Sequence, residues 1–267
     1  MYDCVVAMAE YISGSEEAFV EKMNEKAKQL GMNDTCFKNC HGIDEDGHVT
    51  SSYDIALMSR ELLCKYPGIT NYTTVYMDTL RDGKSQLVNT NKLIRNYNGA
   101  TGLKTGSTSI ALYNLSASAT RDNLSLIAVV MKAPTSDLRF QNAKKLLDYG
   151  FKNYEYKKYA SKGDVVKNIS VSKGIENNIN AVFNSDAGVL IKKGKEADVT
   201  QKIEFEKSAE KSIEAPVVAK QKLGVATYSV DGTVVATVDI VADRTIEKQN
   251  FIQITKYIYK KWFTLCR

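Results

Sequence analysis

The feature of the sequence that most constrains its fold is a change of hydrophobic pattern near residue 155. Before this point, several stretches repeat apolar residues with the helical period of about 3.6. After it, polar and apolar residues alternate in short runs such as "NAVF", "GVLI", "GVATYSV" and "TVVATVDIVA". Asp231-Gly232, between the last two runs, is a strong hairpin signal. The pattern predicts a small all-β domain of the sandwich type after a domain rich in helices.

Three helices are predicted in the first 70 residues. "MYDCVVAMAEYI" has the helical period but no residue that could cap its start. "SEEAFVEKMNEKAKQLG" has Ser15 as its N-cap and Gly31 as its stop. "SSYDIALMSRELLCKYPG" starts with the capping-box spacing of Ser51 and Asp54, and Pro67-Gly68 ends it. Residues 32–50 between the last two helices are expected to form a structured loop.

A sheet and a covering helix are predicted next. Asp82-Gly83 indicates a hairpin turn, and "YNLSASAT" and "LSLIAVVM" are expected to be strands joined at "RDN". "SDLRFQNAKKLLDYG" is expected to be a helix that stops at Gly150. Helices followed by an antiparallel sheet and a covering helix predict an α+β fold for the first domain.

Composition excludes several classes of protein. Hydrophobic residues make up 43% and charged residues 25%, which is ordinary for a globular protein. The net charge is +5, but the basic residues do not form a focused patch in the sequence. Nucleic acid is therefore not an expected partner. No apolar run approaches the roughly 18 residues of a transmembrane helix. The first residues lack the basic start of a signal peptide, so none is expected in this chain.

The cysteines and histidines are the residues that could bind a metal ion. The chain has five cysteines, an odd number without regular spacing, which argues against a disulfide framework. Cys36, Cys40 and His41 follow the spacing C-x3-C-H, with His48 as a possible fourth ligand. This is not a zinc-site pattern, so we expect ordinary thiols, no metal and no cofactor.

The last stretch, residues 244–267, returns to the helical period. Its apolar stripe consists of Ile246, Phe251, Ile254, Tyr257, Ile258, Trp262 and Leu265. Basic residues lie mostly elsewhere on the helical wheel, and a basic amphipathic helix with a tryptophan suits a membrane interface. The alternative is a terminal helix docked on its own domain. We predict contact with a membrane surface.

Lys104-Thr105-Gly106, within "GLKTGSTS", is the candidate site. Lys104 could bind a carboxylate, and Thr105 could donate a hydrogen bond to it. A glycine at a strand edge lets the backbone of a substrate approach closely. The alternative is a basic residue at an ordinary strand start, since a tripeptide alone is a weak signal.

Over nearly its whole length, the chain resembles the D-alanyl-D-alanine carboxypeptidases of the low-molecular-mass penicillin-binding class. The resemblance rests on "YISGSEEAFVEKMNEKAKQLGMNDTCFKNCHGIDEDGHVTSSYDIALMSRELL", "NTNKLIRNYNGATGLKTGST", "YNLSASATRDNLSLIAVVM" and "AKKLLDYGF". It implies part of a penicillin-binding/β-lactamase-like transpeptidase domain in residues 1–155, a β-sandwich in residues 156–243 and a membrane-anchor helix in residues 244–267.

The resemblance also implies a function. It implies serine acyl transfer through an acyl-enzyme, which releases the terminal D-alanine of a peptidoglycan stem peptide. β-Lactams would bind the full-length parent, whose tail would hold it on the outer face of the cytoplasmic membrane. A serine β-lactamase also carries K-T-G, but the β domain and basic tail argue against that class.

The site residues that carry over lie on the K-T-G side. Lys104, Thr105 and Gly106 would form the wall that faces the nucleophile, and the N–H of Ser107 would be an oxyanion donor. Thr108, the next residue, is a further candidate for substrate binding. Arg139 matches by position an arginine that helps to hold the substrate carboxylate, although "APTSDLRFQ" departs from the family pattern. His41 falls in the family's "HG-D--G" loop, beside the site.

The nucleophile motifs are not found. Ser-x-x-Lys occurs as Ser170–Lys173 and Ser208–Lys211, both in the strand-rich part, and Ser-x-Asn does not occur. We therefore expect the catalytic serine and its lysine to be missing and the chain to be inactive alone. We also expect residues 1–150 to expose an apolar sheet face. The alternative is a non-catalytic remnant that binds a membrane or a partner.

Overall fold

The structure, a computed structural model, describes residues 2–194 and 198–252, together with residues 255 and 262. The chain divides into two compact units, one that ends at Asn153 and one that begins at Tyr154. Within the described ranges, no helix is both long enough and apolar enough to cross a membrane.

The helices predicted from Ser15 and Ser51 begin where the sequence indicated, whereas the short helices at Thr70–Thr73 and Leu93–Asn96 were not predicted. Ser15 and Ser51 are N-caps whose hydroxyls accept hydrogen bonds from the amides of Ala18 and Asp54, both at 3.2 Å. The six helices are α1 (Tyr2–Ser13), α2 (Glu16–Gln29), α3 (Ser52–Lys65), α4 (Thr70–Thr73), α5 (Leu93–Asn96) and α6 (Ser136–Asn153), with a 3-10 turn at Pro67–Ile69.

The first unit also contains two antiparallel sheets. The hairpin of β1 (Met77–Leu80) and β2 (Ser85–Val88) turns at the predicted Asp82-Gly83. The second sheet has the order β3-β4-β5, with β3 at Ala100–Thr108, β4 at Leu112–Arg121 and β5 at Leu124–Ala133. Asp122 and Asn123 both have a positive φ and form the predicted tight turn between β4 and β5.

Helix α6 covers one face of this sheet. Phe140, Ala143 and Leu147 are buried against the strands, and full burial of Leu147 contributes roughly 1.5–3 kcal/mol. The prediction that Gly150 stops the helix was wrong, because α6 continues to Asn153. Gly150 is buried instead, and a Cβ there would lie 2.4 Å from Leu126 Cδ1. The glycine thus serves close packing of helix on strand.

The second unit is built of strands, as predicted. Its six-stranded sheet has the order β10-β12-β13-β8-β7-β11, and β6 pairs with β9 in a two-stranded sheet. Asp231 and Gly232 have positive φ values and form the predicted hairpin turn. The strands are β6 (Tyr154–Ala160), β7 (Val165–Ser172), β8 (Asn178–Phe183), β9 (Ala187–Lys192), β10 (Val199–Phe205), β11 (Ser212–Glu214), β12 (Lys222–Val230) and β13 (Thr233–Ala242).

The core of the second unit combines both of its sheets. Ile169, Ile179, Leu223 and Ile240 belong to one buried cluster with Val189 of β9. The predicted α+β class, with a β-rich sandwich-type unit after the helices, is confirmed.

The start of the C-terminal stretch differs from the prediction. Residues 244–249 are not helical: Ile246 forms an antiparallel bridge with Val217, and Lys248 forms one with Gly174. Amides and carbonyls of two neighbouring loops form hydrogen bonds with the backbone of residues 246–249, and the Ile246 side chain is fully buried. These backbone groups are therefore not available for helical hydrogen bonds. Most of the predicted amphipathic helix beyond residue 250 lies outside the described residues.

Candidate functional site

The candidate site lies on the edge strand β3. This strand pairs with β4 on one side, and Lys104, Gly106 and Ser107 are exposed while Thr105 is buried. Apart from Gly106 and its two neighbours in the chain, no described residue has a heavy atom within 4 Å of the place that a Cβ of Gly106 would occupy. An edge strand with an open glycine can pair with an extended peptide. The open edge therefore suits a peptide substrate.

Thr105 is fixed by a residue that the sequence did not single out. Its hydroxyl lies 2.6 Å from the hydroxyl of Thr90, in the loop after β2. Thr105 is 7% exposed, so this hydrogen bond restricts its rotamer. The ammonium of Lys104 donates to the Thr105 carbonyl at 2.5 Å. Lys104 thus supplies a positive charge beside the open edge.

Arg139 supports the strand from α6. Its Nη1 donates to the carbonyls of Gly106 at 3.2 Å and Asn114 at 3.1 Å, which bridges β3 and β4. Its side chain is buried, and burial lowers the pKa of the guanidinium. The guanidinium also lies 4.7 Å from the ring centroid of Phe140. The sequence singled out Arg139 for a carboxylate, and the structure engages it with backbone carbonyls next to the open edge.

Asp44 holds the end of β3. Its Oδ1 accepts a 2.6 Å hydrogen bond from the hydroxyl of Thr108, and its Oδ2 accepts one from the amide of Ile110 at 3.3 Å. Asn39, which is buried, braces the same loop by accepting from the amide of Gly42 at 2.8 Å. Sequence reasoning missed Asp44, although it is the acidic residue of the "HG-D--G" segment.

His41 lies in this loop. Its Nδ1 accepts from the amide of Ile43 at 3.2 Å, and its Nε2 lies 3.7 Å from Oε1 of Glu16 on α2. The same Glu16 oxygen accepts from the amide of Cys40 at 3.1 Å, and this bond lowers the pKa of Glu16. The loop connects to β3 through Asp44.

Cys36, Cys40 and His48 do not come together as a metal site. Nδ1 of His48 accepts from the amide of Lys38 at 3.1 Å, and burial lowers the pKa of His48. Burial raises the pKa of the Cys40 thiol, and Cys36 is also a free thiol. In the part of the chain that the structure describes, no three His, Cys, Asp or Glu side chains are grouped to hold a metal ion.

An apolar cavity adjoins the site. It has a volume of about 440 Å³ and lies between α3 and the sheet face that α6 leaves open. Met58 and Leu62 line it from α3, and Lys104 and Thr105 lie at its rim. Ser59 and Ser116 also line it, and their hydroxyls lie 2.7 Å apart. Ser116 is the cross-strand neighbour of Lys104, so this buried pair lies close to the candidate site.

The two Ser-x-x-Lys matches lie in the second unit. Ser170 is in β7, and Lys173 follows the strand with a positive φ. Ser208 is in a turn. Neither serine is on a helix, where the i and i+3 positions share a face, as an activated serine–lysine pair requires.

Family models match both units. The model described as "D-alanyl-D-alanine carboxypeptidase" matches residues 2–135, which include the whole of β3 and the Asp44 loop. The chain belongs to the D-alanyl-D-alanine carboxypeptidase family. The model described as "Penicillin-binding protein 5, C-terminal domain" matches residues 154–248.

Individual relatives agree with this family. The chain is 42% identical over 264 residues to D-alanyl-D-alanine carboxypeptidase DacF of Bacillus subtilis, covering 97% of the chain and 67% of the relative. It matches the structure of penicillin binding protein 5 from Haemophilus influenzae with a TM-score of 0.68 and 33% identity, covering 92% of the chain and 71% of that structure.

A third relative is a structure with a bound antibiotic. The chain matches Penicillin-Binding Protein D2 from Listeria monocytogenes in the cefotaxime-bound form with a TM-score of 0.52 and 33% identity. The match covers 57% of the chain and 61% of that structure. The chain spans about two thirds of the length of two relatives, 67% of DacF of Bacillus subtilis and 65% of D-alanyl-D-alanine carboxypeptidase DacA of Escherichia coli (strain K12).

Proposed function

We propose that this chain supplies the substrate-binding wall of a serine-type D-Ala-D-Ala carboxypeptidase that trims the terminal D-alanine from peptidoglycan stem peptides. The observation that carries the proposal is the open edge of β3, where Lys104 and Gly106 are exposed and Thr90 fixes the hydroxyl of Thr105. The stem peptide pairs with this edge. The ammonium of Lys104 attracts its terminal carboxylate, and Thr105 donates a hydrogen bond to it.

Each remaining site residue has a role in this proposal. A serine hydroxyl attacks the carbonyl carbon of the penultimate D-alanine and passes its proton to a lysine. The N–H of Ser107 stabilises the oxyanion, and the C–N bond then breaks, so that D-alanine leaves with a proton from the lysine. Water hydrolyses the resulting ester. Arg139 adds positive potential behind Gly106, Thr108 fixes the strand end, and His41 lies in the loop at the margin of the site.

The serine and lysine of this step come from outside the 267 residues, because both Ser-x-x-Lys matches lie off any described helix. The pure chain is therefore inactive. We expect no D-alanine release from a D-Ala-D-Ala peptide and no covalent labelling by a fluorescent penicillin. A labelled band from the pure chain would contradict this.

A chimera tests the function itself. The part of the Bacillus subtilis relative that this chain does not match, where the family resemblance implies the Ser-x-x-Lys motif, is fused ahead of Met1. We expect the chimera to be labelled by the penicillin and to release D-alanine. Lys104→Ala in the chimera should reduce kcat/KM by about 10- to 100-fold, the loss expected for a charge-assisted hydrogen bond. A folded chimera with neither activity would overturn the proposal.

The partners and location follow from the same proposal. β-Lactams bind the complete protein, as the cefotaxime-bound relative supports. The complete protein acts outside the cytoplasm, on the outer face of the cytoplasmic membrane. Its contact with the membrane surface is made by the basic amphipathic sequence after Gln249, within the stretch 244–267.

A non-catalytic remnant that binds a membrane or a partner is the second candidate. The observation in its favour is the lack of a Ser-x-x-Lys motif on a described helix. The chimera separates the two, because a remnant with a degenerate wall gains no activity when a serine and lysine are restored.

A further inference from the structure

Two loops of the second unit enclose the point from which the C-terminal stretch leaves it. We call residues 245–249 the exit segment. The amide of Ile175 donates to the carbonyl of Glu247 at 2.9 Å, and the amide of Gln249 donates to the carbonyl of Lys173 at 2.8 Å. On the other side, the amides of Val217 and Ile246 each donate to the carbonyl of the other, at 2.9 and 2.8 Å. The exit segment is therefore fixed between the loops 173–177 and 215–221.

Each loop carries a large apolar side chain that is left in solvent. Ile175 is 46% exposed and Val218 is 60% exposed, although their neighbours Gly174 and Val217 are packed around the buried Ile246. Phe251 and Ile252, which follow the exit segment, are 82% and 65% exposed. We call these four residues the loop surface. Apolar side chains on adjoining loops mark an interaction surface rather than a core.

Lysines accompany the loop surface. Lys173 and Lys220 have positive φ values at the turns of the two loops, and Lys248 lies in the exit segment. Glu214 neutralises part of this charge, since it lies 2.9 Å from Lys173 and 3.9 Å from Lys248. The sequence beyond adds Lys256, Lys260, Lys261 and Arg267. Apolar tips with lysines that can extend past them suit the boundary of an anionic bilayer.

We propose that the loop surface contacts an anionic lipid bilayer directly, so that the β domain itself is part of the membrane-binding surface. This rests on the proposed membrane contact of the sequence after Gln249. Phe251 follows Ile246 by five residue steps, which span at most about 18 Å. A tail that lies in the interface therefore holds both loop tips at the bilayer, where Ile175 and Val218 lose their contact with water.

The test uses the whole chain and vesicles of phosphatidylglycerol and phosphatidylcholine, measured by co-sedimentation. The variant with both Ile175→Asp and Val218→Asp should bind about tenfold more weakly than the wild type. Val234→Asp is the matched control, because Val234 is 58% exposed near the start of β13. About ten residues of strand and turn, roughly 30 Å, separate it from the exit segment. This control should bind like the wild type.

Trp262, the single tryptophan, separates this inference from the proposed function. When vesicles are added, the fluorescence emission of Trp262 should shift to the blue in the wild type. The double variant should show the same shift once the lipid concentration is saturating. A wild type that binds with this shift, together with a double variant that binds equally well, would overturn the loop contact alone. No binding and no shift in the wild type would overturn both membrane contacts, while the penicillin labelling of the chimera still decides the catalytic proposal.

Discussion

The carboxylate of Asp44 accepts a 2.6 Å hydrogen bond from the hydroxyl of Thr108 across 64 residues of sequence. The Thr108 oxygen in turn accepts from the amide of Ala111 at 2.9 Å. The loop before α3 and the end of the K-T-G strand are thus joined by hydrogen bonds through one carboxylate.

Asp44→Asn should loosen the end of β3. The substitution keeps the size of the side chain but removes the charge that strengthens the bonds from Thr108 and Ile110, at a cost of about 1–2 kcal/mol. We expect hydrogen exchange of the Ile110 amide to be about tenfold faster, measured by NMR or mass spectrometry. Asp46→Asn, at an exposed position in the same loop, should leave it unchanged. Equal exchange in the wild type and Asp44→Asn would show that the carboxylate does not hold the strand.

The buried hydroxyl pair of Ser59 and Ser116 should behave as a coupled unit. Ser59→Ala leaves the Ser116 hydroxyl without its partner in an apolar cavity, which costs about 1–3 kcal/mol of unfolding free energy. Removal of both hydroxyls should cost less than the sum of the single changes. Urea denaturation of the two single variants and the double variant measures the coupling. Strict additivity would argue against the pair.

Substitution by alanine should change the stability of the chain at one strand glycine and leave it unchanged at another. At Gly224, a Cβ would lie 2.5 Å from the carbonyl oxygen of Glu204 on β10, and neither backbone can move away without breaking the ladder. Gly224→Ala should therefore destabilise the second unit by about 1–3 kcal/mol. Gly106→Ala meets open space, so its unfolding midpoint should be within experimental error of the wild type, while penicillin labelling of the chimera falls. Thermal and urea unfolding test the first point, and a destabilised Gly106→Ala would contradict the second.

The phenol of Tyr97 should link stability to alkaline pH. Burial and a 2.7 Å hydrogen bond to Asp148 raise the pKa of Tyr97 to about 12, above its ordinary value of about 10. Because the folded pKa is the higher one, the contribution of the phenol is complete below pH 10 and is lost as the pH rises from about 10 to about 12. The stability difference between the wild type and Tyr97→Phe, measured by urea denaturation, should shrink over this range. A difference that stays constant would be inconsistent with the raised pKa.

Local features of the fold could be predicted from the sequence. Ser15 and Ser51 cap their helices because a short hydroxyl side chain reaches an amide three residues ahead, which depends only on neighbours in the chain. Asp82-Gly83 and Asp231-Gly232 form hairpins for the same local reason, since these residues tolerate positive φ.

Features that depend on distant partners could not be predicted. Gly150 looked like a helix stop, but its role is set by Leu126 on a strand. The contacts of Asp44, Ser59 and Arg139 each join segments at least 25 residues apart. Residues 244–249 have a helical sequence pattern, but their backbone groups form hydrogen bonds with neighbouring loops instead of with each other. The K-T-G strand itself was found from the sequence because its residues are contiguous.

The attachment of the exit segment also determines how the second unit carries a mechanical load. A pull on the C-terminal chain reaches the sheet through Gln249 and Ile246, whose backbone bonds run to two separate loops. The bond from Gln249 to Lys173 lies nearer the C-terminus, so a pull loads it first and the pair of bonds between Ile246 and Val217 second. A force on the C-terminal chain therefore enters the β domain at a defined point, through the backbone hydrogen bonds of residues 246–249.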